Sequence, residues 1–159
     1  MGKSASSMQA TRAADYAIRA LIHLSGLRSG ERTMLPDLAR STGAPEAFLS
    51  KVLQALCGAG FVASHRGQTG GFEIRQKGRD AKISEVIAAV DSPIRLNTCL
   101  PPGGSCYRRE DCPVHPVWAR AQAAMLQVLD AQTIADLAAH QSAALLRSTE
   151  SSEKAGRVR

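Results

Sequence analysis

Aromatic side chains are scarce: one Trp, two Tyr and three Phe make up 4% of the 159 residues. Any core must therefore be mostly Ala, Leu, Val and Ile, and a 44% hydrophobic chain has enough of them to bury one. No stretch approaches the roughly 20 apolar residues of a membrane span. The opening MGKSASSMQATRAADYA also lacks the apolar centre of a signal peptide. Both absences point to the cytosol, where thiols stay reduced, so the four cysteines suggest metal or redox chemistry before structural disulfides. Acidic residues are outnumbered, 14 Asp and Glu against 20 Lys and Arg, giving a net charge of +6. That balance suits a polyanion, nucleic acid before membrane; the plain alternative is a basic soluble protein with no such partner. Internal repeats are missing too, and the length fits one domain, or one domain plus a long appended element.

What is present reads as helices with one hairpin. In DYAIRALIHL, the residues Tyr16, Ala17, Ala20, Leu21 and Leu24 recur at helical spacing, and Gly26 to Thr33 reads as a loop. Leu35, Leu38 and Ala39 mark a short helix, Ser41-Thr42-Gly43 a turn, and Pro45 the first turn of a second helix. That helix carries Phe48, Leu49, Val52, Leu53 and Leu56 on its apolar stripe and ends at Gly58 and Gly60. Two short helices about a glycine turn make a helix-turn-helix pattern. A strand from Phe61 to His65, a glycine-rich tip and a return strand from Phe72 to Arg75 follow. Together these predict a winged helix. The tip is not a phosphate-cradling loop, because no Gly-Lys-Ser/Thr follows and the next element is a strand.

ISEVIAAV, residues 83 to 90, predicts another short helix. Farther on, Trp118, Ala121, Met125, Val128 and Gln132 keep a 3-4-3-4 rhythm that predicts one long helix. Such a seam pairs readily with its copy in a second subunit, the plain alternative being a helix packed on its own domain. Thr133-Ile134-Ala135-Asp136 predicts a capped restart.

Between these helices lies CLPPGGSCYRREDCPVHPVW, residues 99 to 118, with the spacing Cys-x6-Cys-x5-Cys-x2-His. Thiolates are soft ligands for iron–sulfur clusters or zinc. Gly103-Gly104 and the flanking prolines let the backbone curl until distant sulfurs converge. A cluster, a zinc ion and a metal-free thiol switch all remain open on spacing alone, although paired zinc ligands are more often two to four residues apart. Cys57, inside a periodic apolar segment, reads as packing. No other nucleophile–base or acid–base constellation appears, so no enzyme is expected.

For DNA, the second helix of the pair exposes Glu46, Ala47, Ser50, Lys51 and Gln54, with Phe48 beside them. Gln54 or Ser50 suits base edges and Lys51 suits phosphate. On the wing, Ser64, Arg66, Gly67 and Gln68 complete the predicted contact set, with Arg66 placed for a narrow minor groove. The plain alternative for each charged residue is a solvated side chain.

The order DYAIRAL, helix-turn-helix, SHRGQTGGF, ISEVIAAVDSPIRLNTC, cysteine loop, long helix and TIADL, over residues 8 to about 140, resembles the Rrf-two family of bacterial winged-helix regulators, IscR-like and NsrR-like. The resemblance implies a cytoplasmic, nucleoid-associated homodimer that binds a pseudo-palindromic operator on double-stranded DNA, with no membrane partner. It implies a transcriptional regulator, a repressor, whose iron–sulfur cluster senses redox state, nitric oxide or iron and cluster supply. It also implies ligands: Cys99, Cys106 and Cys112, with His115 completing a 2Fe–2S site as in IscR-like members. Alternatively Asp15, which falls where NsrR-like members place an aspartate, reaches the partner subunit's 4Fe–4S cluster. Two departures accompany the match, a first gap one residue longer than the IscR-like pattern and Ser50 where many relatives carry Glu.

The expected fold class is mainly α with a small β wing: a winged helix-turn-helix DNA-binding domain plus a long dimerisation helix. The expected divisions are a disordered 1–10, a winged helix-turn-helix over 11–80, a linking helix and cysteine loop over 81–116, a dimerisation helix and C-terminal helix over 117–146, and a disordered tail over 147–159.

Overall fold

A computed structural model describes residues 10–67, 69–100 and 106–144. Residues 1–9, 68, 101–105 and 145–159, including the tail expected over 147–159, lie outside the described residues.

Helix α1, Arg12–Ser25, begins because the Thr11 hydroxyl accepts a hydrogen bond from the Ala14 amide at 3.2 Å. Its buried face is Ala14, Ala17, Ala20, Leu21 and Leu24. α2, Leu35–Thr42, carries Pro36 in its first turn and stops at Gly43, whose φ of 71° is the left-handed conformation that glycine adopts without strain. α3 follows as Glu46–Gly58, with Pro45 as the residue just before the helix instead of inside its first turn. The three helices share an aliphatic core in which Leu21, Leu24, Leu38, Leu49, Leu53 and Leu56 are fully buried. This is the core that a low aromatic content demanded.

The wing is β1, Val62–His65, paired antiparallel with β2, Gly71–Ile74, in the register Val62↔Ile74 and His65↔Gly71. β1 begins one residue after the expected Phe61, and β2 is shifted one residue earlier than the expected Phe72 to Arg75. Thr33, expected in a loop, instead adds a bridge on the outer edge of β2: its amide donates to Phe72 O at 3.1 Å and its carbonyl accepts from Phe72 N at 2.9 Å. A single turn, α4 (Gln76–Asp80), leads to α5, Ile83–Val90, which lies across α1 and also touches α3.

Helix α6, His115–Leu129, packs on α5 and buries none of its own residues. It ends three residues short of Gln132, so the predicted seam loses its last member. The reason is downstream. Ile134 N donates to Ala81 O at 3.0 Å, Lys82 bridges Thr133, and Ile134 is completely buried, so the chain must turn back to reach the core. The restart is capped as the sequence predicts: the Thr133 amide donates to Asp136 Oδ2 at 2.9 Å, and the Asp136 amide to Thr133 Oγ1 at 3.1 Å. Those Thr133 donors, its amide before its hydroxyl, hold the Asp136 carboxyl below its ordinary value. The chain is then helical from 134 to 144.

Candidate functional site

Two groups of chemistry-bearing residues stand out on this architecture. The first is the exposed face of α3 with the wing. Glu46, Ala47, Phe48, Lys51 and Gln54 are exposed and Ser50 is half-exposed, while Leu49, Val52, Leu53 and Leu56 face the core. Phe48 divides its surface. It is 40% exposed, and its ring meets Tyr16 of α1 edge-on at 5.8 Å and 74°. Ser64 and Arg66 are exposed on the wing, and Gly67 has a φ of +98°, which a larger side chain would strain. The helix end behind this face is held from α1, where Arg19 Nη1 donates to the Thr42 carbonyl at 3.3 Å.

The second group is the cysteine loop. Cys99 is buried at 6% exposure, and its Sγ lies 3.4 Å from Nδ1 of His115, the first residue of α6. Cys106 and Cys112 are half-buried. Among the described residues no three His, Cys, Asp or Glu side chains are gathered closely enough to hold a metal ion together. The loop thus converges as a pair, Cys99 with His115, and not as a complete set of four. The donor types fit an iron–sulfur cluster: soft thiolates plus one imidazole on glycine- and proline-bearing backbone. One bond ties the start of the loop to α6, and a second ties the far end of α6 to α5. Leu96 N donates to Gln122 Oε1 of α6 at 3.0 Å, and Ser84 N of α5 donates to Asp130 Oδ1 just past α6 at 3.3 Å.

Asp15 sits in the first turn of α1, half-exposed, and is clasped by Arg19 through Nη2–Oδ2 at 2.9 Å and Nε–Oδ1 at 3.1 Å. Exposed pairs of this kind contribute only about 0.3–0.5 kcal/mol. Arg19 therefore orients Asp15 without locking it. Cys57, the fourth cysteine, packs on the edge of the core, and burial pushes its thiol up despite opposing help from Arg75 and Ser64. It is a poor thiolate and no partner of the loop.

Sequence reasoning missed Arg32. Its guanidinium reaches Glu73 of β2 and the Thr69 carbonyl at the wing tip. No local signal marks it, because the strand pairing that carries it there joins positions far apart in the chain.

Comparison with known proteins agrees with this layout. The family model Rrf2, described as an iron-dependent transcriptional regulator, matches residues 10–140. The HTH-type transcriptional regulator NsrR of Geobacillus kaustophilus is 32% identical over 131 residues, covering 82% of this chain and 89% of that protein. Among solved structures, CymR, the global cysteine regulator of B. subtilis, superposes with a TM-score of 0.67 at 22% identity, over 84% of this chain and 98% of that one. IscR of T. potens superposes with a TM-score of 0.64 at 22% identity, over 82% and 86%. Both structures share the mostly helical fold with its small two-stranded sheet. The chain belongs to the Rrf2 family of transcriptional regulators.

Proposed function

We propose that the protein is a homodimeric transcriptional repressor whose DNA affinity is set by an iron–sulfur cluster held by Cys99, Cys106, Cys112 and His115. The observation that carries this reading is the buried Cys99 thiol beside His115 at the head of α6. It favours His115 over Asp15 as the fourth ligand, and with it a 2Fe–2S site. Asp15 from the partner subunit, with a 4Fe–4S site, is the alternative. A bound cluster would supply a centre that responds to redox state, nitric oxide or iron and cluster supply.

The chain's own residues carry the rest. Gathering the three thiolates orders the segment between Leu96 and His115, which is held to α6 by the Leu96–Gln122 bond, and α6 is in turn tied at its far end to α5 by the Ser84–Asp130 bond. α5 in turn lies on α1 and α3, so loop order reaches the reading head by continuous packing. Two loop states with different DNA affinities are the differential interaction that such a switch requires.

The exposed apolar residues of α6, with Val117 at 60% and Val128 at 74% exposure, support pairing with a second copy. Two reading heads then address half-sites about one helical turn apart. In each, Gln54 and Ser50 face base edges, Glu46, Ala47 and Phe48 line the groove floor, and Lys51 meets phosphate. Ser64, Arg66, Gly67 and Gln68 present the wing to the adjacent minor groove. Binding weakens steeply with salt.

The test is purification without oxygen, with visible absorption recorded beside iron, sulfide and zinc content. Brown protein with iron and sulfide is expected, and Cys106→Ala should abolish the colour while leaving a folded dimer. A cluster fully retained in Cys106→Ala refutes the ligand set. Colourless protein with one zinc per chain refutes the sensor and leaves a zinc-stabilised DNA-binding dimer.

A further inference from the structure

A two-stranded hairpin of four-residue strands has little rigidity of its own, so something outside it must fix its angle. The chain supplies that hold from the segment between α1 and α2. Thr33 docks on Phe72 through both backbone bonds, which lays the preceding residue, Arg32, along β2. From there Arg32 Nε lies 3.3 Å from Glu73 Oε2, and Arg32 Nη1 donates to Thr69 O at 3.4 Å. The same carboxylate oxygen approaches His65 Nε2 at 3.1 Å, out of line for a hydrogen bond, so that contact is one of charge when the ring is protonated. His65 immediately precedes Arg66. One carboxylate therefore joins the α1–α2 segment, β2 and the residue that launches the wing tip.

The backbone is fitted to this hold. A Cβ on Gly71 would stand 2.8 Å from Thr33 O, and one on Gly70 would stand 2.4 Å from His65 O. Only glycine permits the close approach at both positions.

We infer that Arg32 is a positioning residue for DNA reading: with Glu73 it staples the wing to the α1–α2 segment and thereby sets where Arg66 meets the minor groove. The inference rests on the proposed wing contact and deepens it. Arg32 and Glu73 are partly exposed, 36% and 28%, so the pair adds little to fold stability. Its effect falls on DNA affinity.

The rival role for Arg32 is that of a direct phosphate contact, and Glu73 separates the two. Removing a carboxylate near DNA should leave binding equal or tighter if Arg32 touches phosphate itself. It should weaken binding if the staple matters.

The experiment uses the full-length dimer and a duplex recovered from a random-sequence pool by the unaltered protein, with affinity read by fluorescence anisotropy. Arg32→Ala and Glu73→Gln should each weaken binding about tenfold, the size of one lost groove contact. Thermal midpoints should barely move. In an Arg66→Ala background both losses should largely vanish, because there is no longer a guanidinium to aim. Unchanged or tighter binding by Glu73→Gln overturns the staple, as does a full Arg32→Ala loss that persists without Arg66. If Arg66→Ala alone leaves affinity intact, the wing contact itself falls and the staple's role with it.

Discussion

The reading head and the α6 arm spend the same aliphatic residues in opposite ways. In the head, α1, α2 and α3 turn leucines inward until six of them are fully buried. In α6, Val117, Trp118, Met125 and Val128 lie along one helix that buries nothing. A helix of that kind gains its stability from what packs on it, not from propensity. The head is thus complete within one chain, whereas in the proposed dimer a second copy would finish the arm. In that dimer, stability of the first is expected to be independent of protein concentration and that of the second to depend on it.

The sharpest break in this contrast is Leu53→Ala. Leu53 is fully exposed to core neighbours and closed to solvent, so truncation should cost about 2–5 kcal/mol. Chemical denaturation should show that loss at every protein concentration. A cost under about 1 kcal/mol would mean that the helices of the head collapse onto the gap, and the idea of a closely packed head would fail.

Val128→Asp comes next. Val128 is 74% exposed in the single chain, so the change should leave the head's unfolding transition in place. It should still weaken self-association by tenfold or more, on the order of the apolar burial lost plus a charge placed in the seam. Sedimentation of the variant at several concentrations reads this directly. A variant that associates as well as the unaltered protein would remove α6 from the interface.

The contrast also explains what was legible in the sequence. The helix-turn-helix showed itself because Gly43 and the stripe from Leu49 to Leu56 are local signals, and the capped restart at Thr133 because its partner Asp136 is three residues away. Features set by distant pairing stayed hidden. The Thr33–Phe72 bridge, the Arg32 contact with Glu73 and the edge-on meeting of Tyr16 with Phe48 each join elements that no period connects. The end of α6 at Leu129 was hidden for the same reason, since the return of Ile134 to the core decides it. In the loop, cysteine crowding suggested soft ligands, but composition could not say that Cys99 and His115 would be the pair brought into contact.

The smallest effect sharpens the comparison from the side of the head. His23 lies in the last turn of α1, half-buried, with Nε2 3.5 Å from the Thr33 hydroxyl. Burial lowers its pKa from the ordinary 6.5, because desolvation disfavours the charged ring. The unfolded chain then binds the proton more readily than the folded one. Stability is therefore full above pH 6.5 and is lost as pH falls from there through the lowered value. Denaturation midpoints followed downward from neutral pH should show this decline, and His23→Gln should flatten it. The decline belongs to α1 and its contact with the α1–α2 segment, so it must be the same at low and high protein concentration. If it grows on dilution, the proton is being taken up at the α6 seam instead, and the head does not carry the acid sensitivity of the fold.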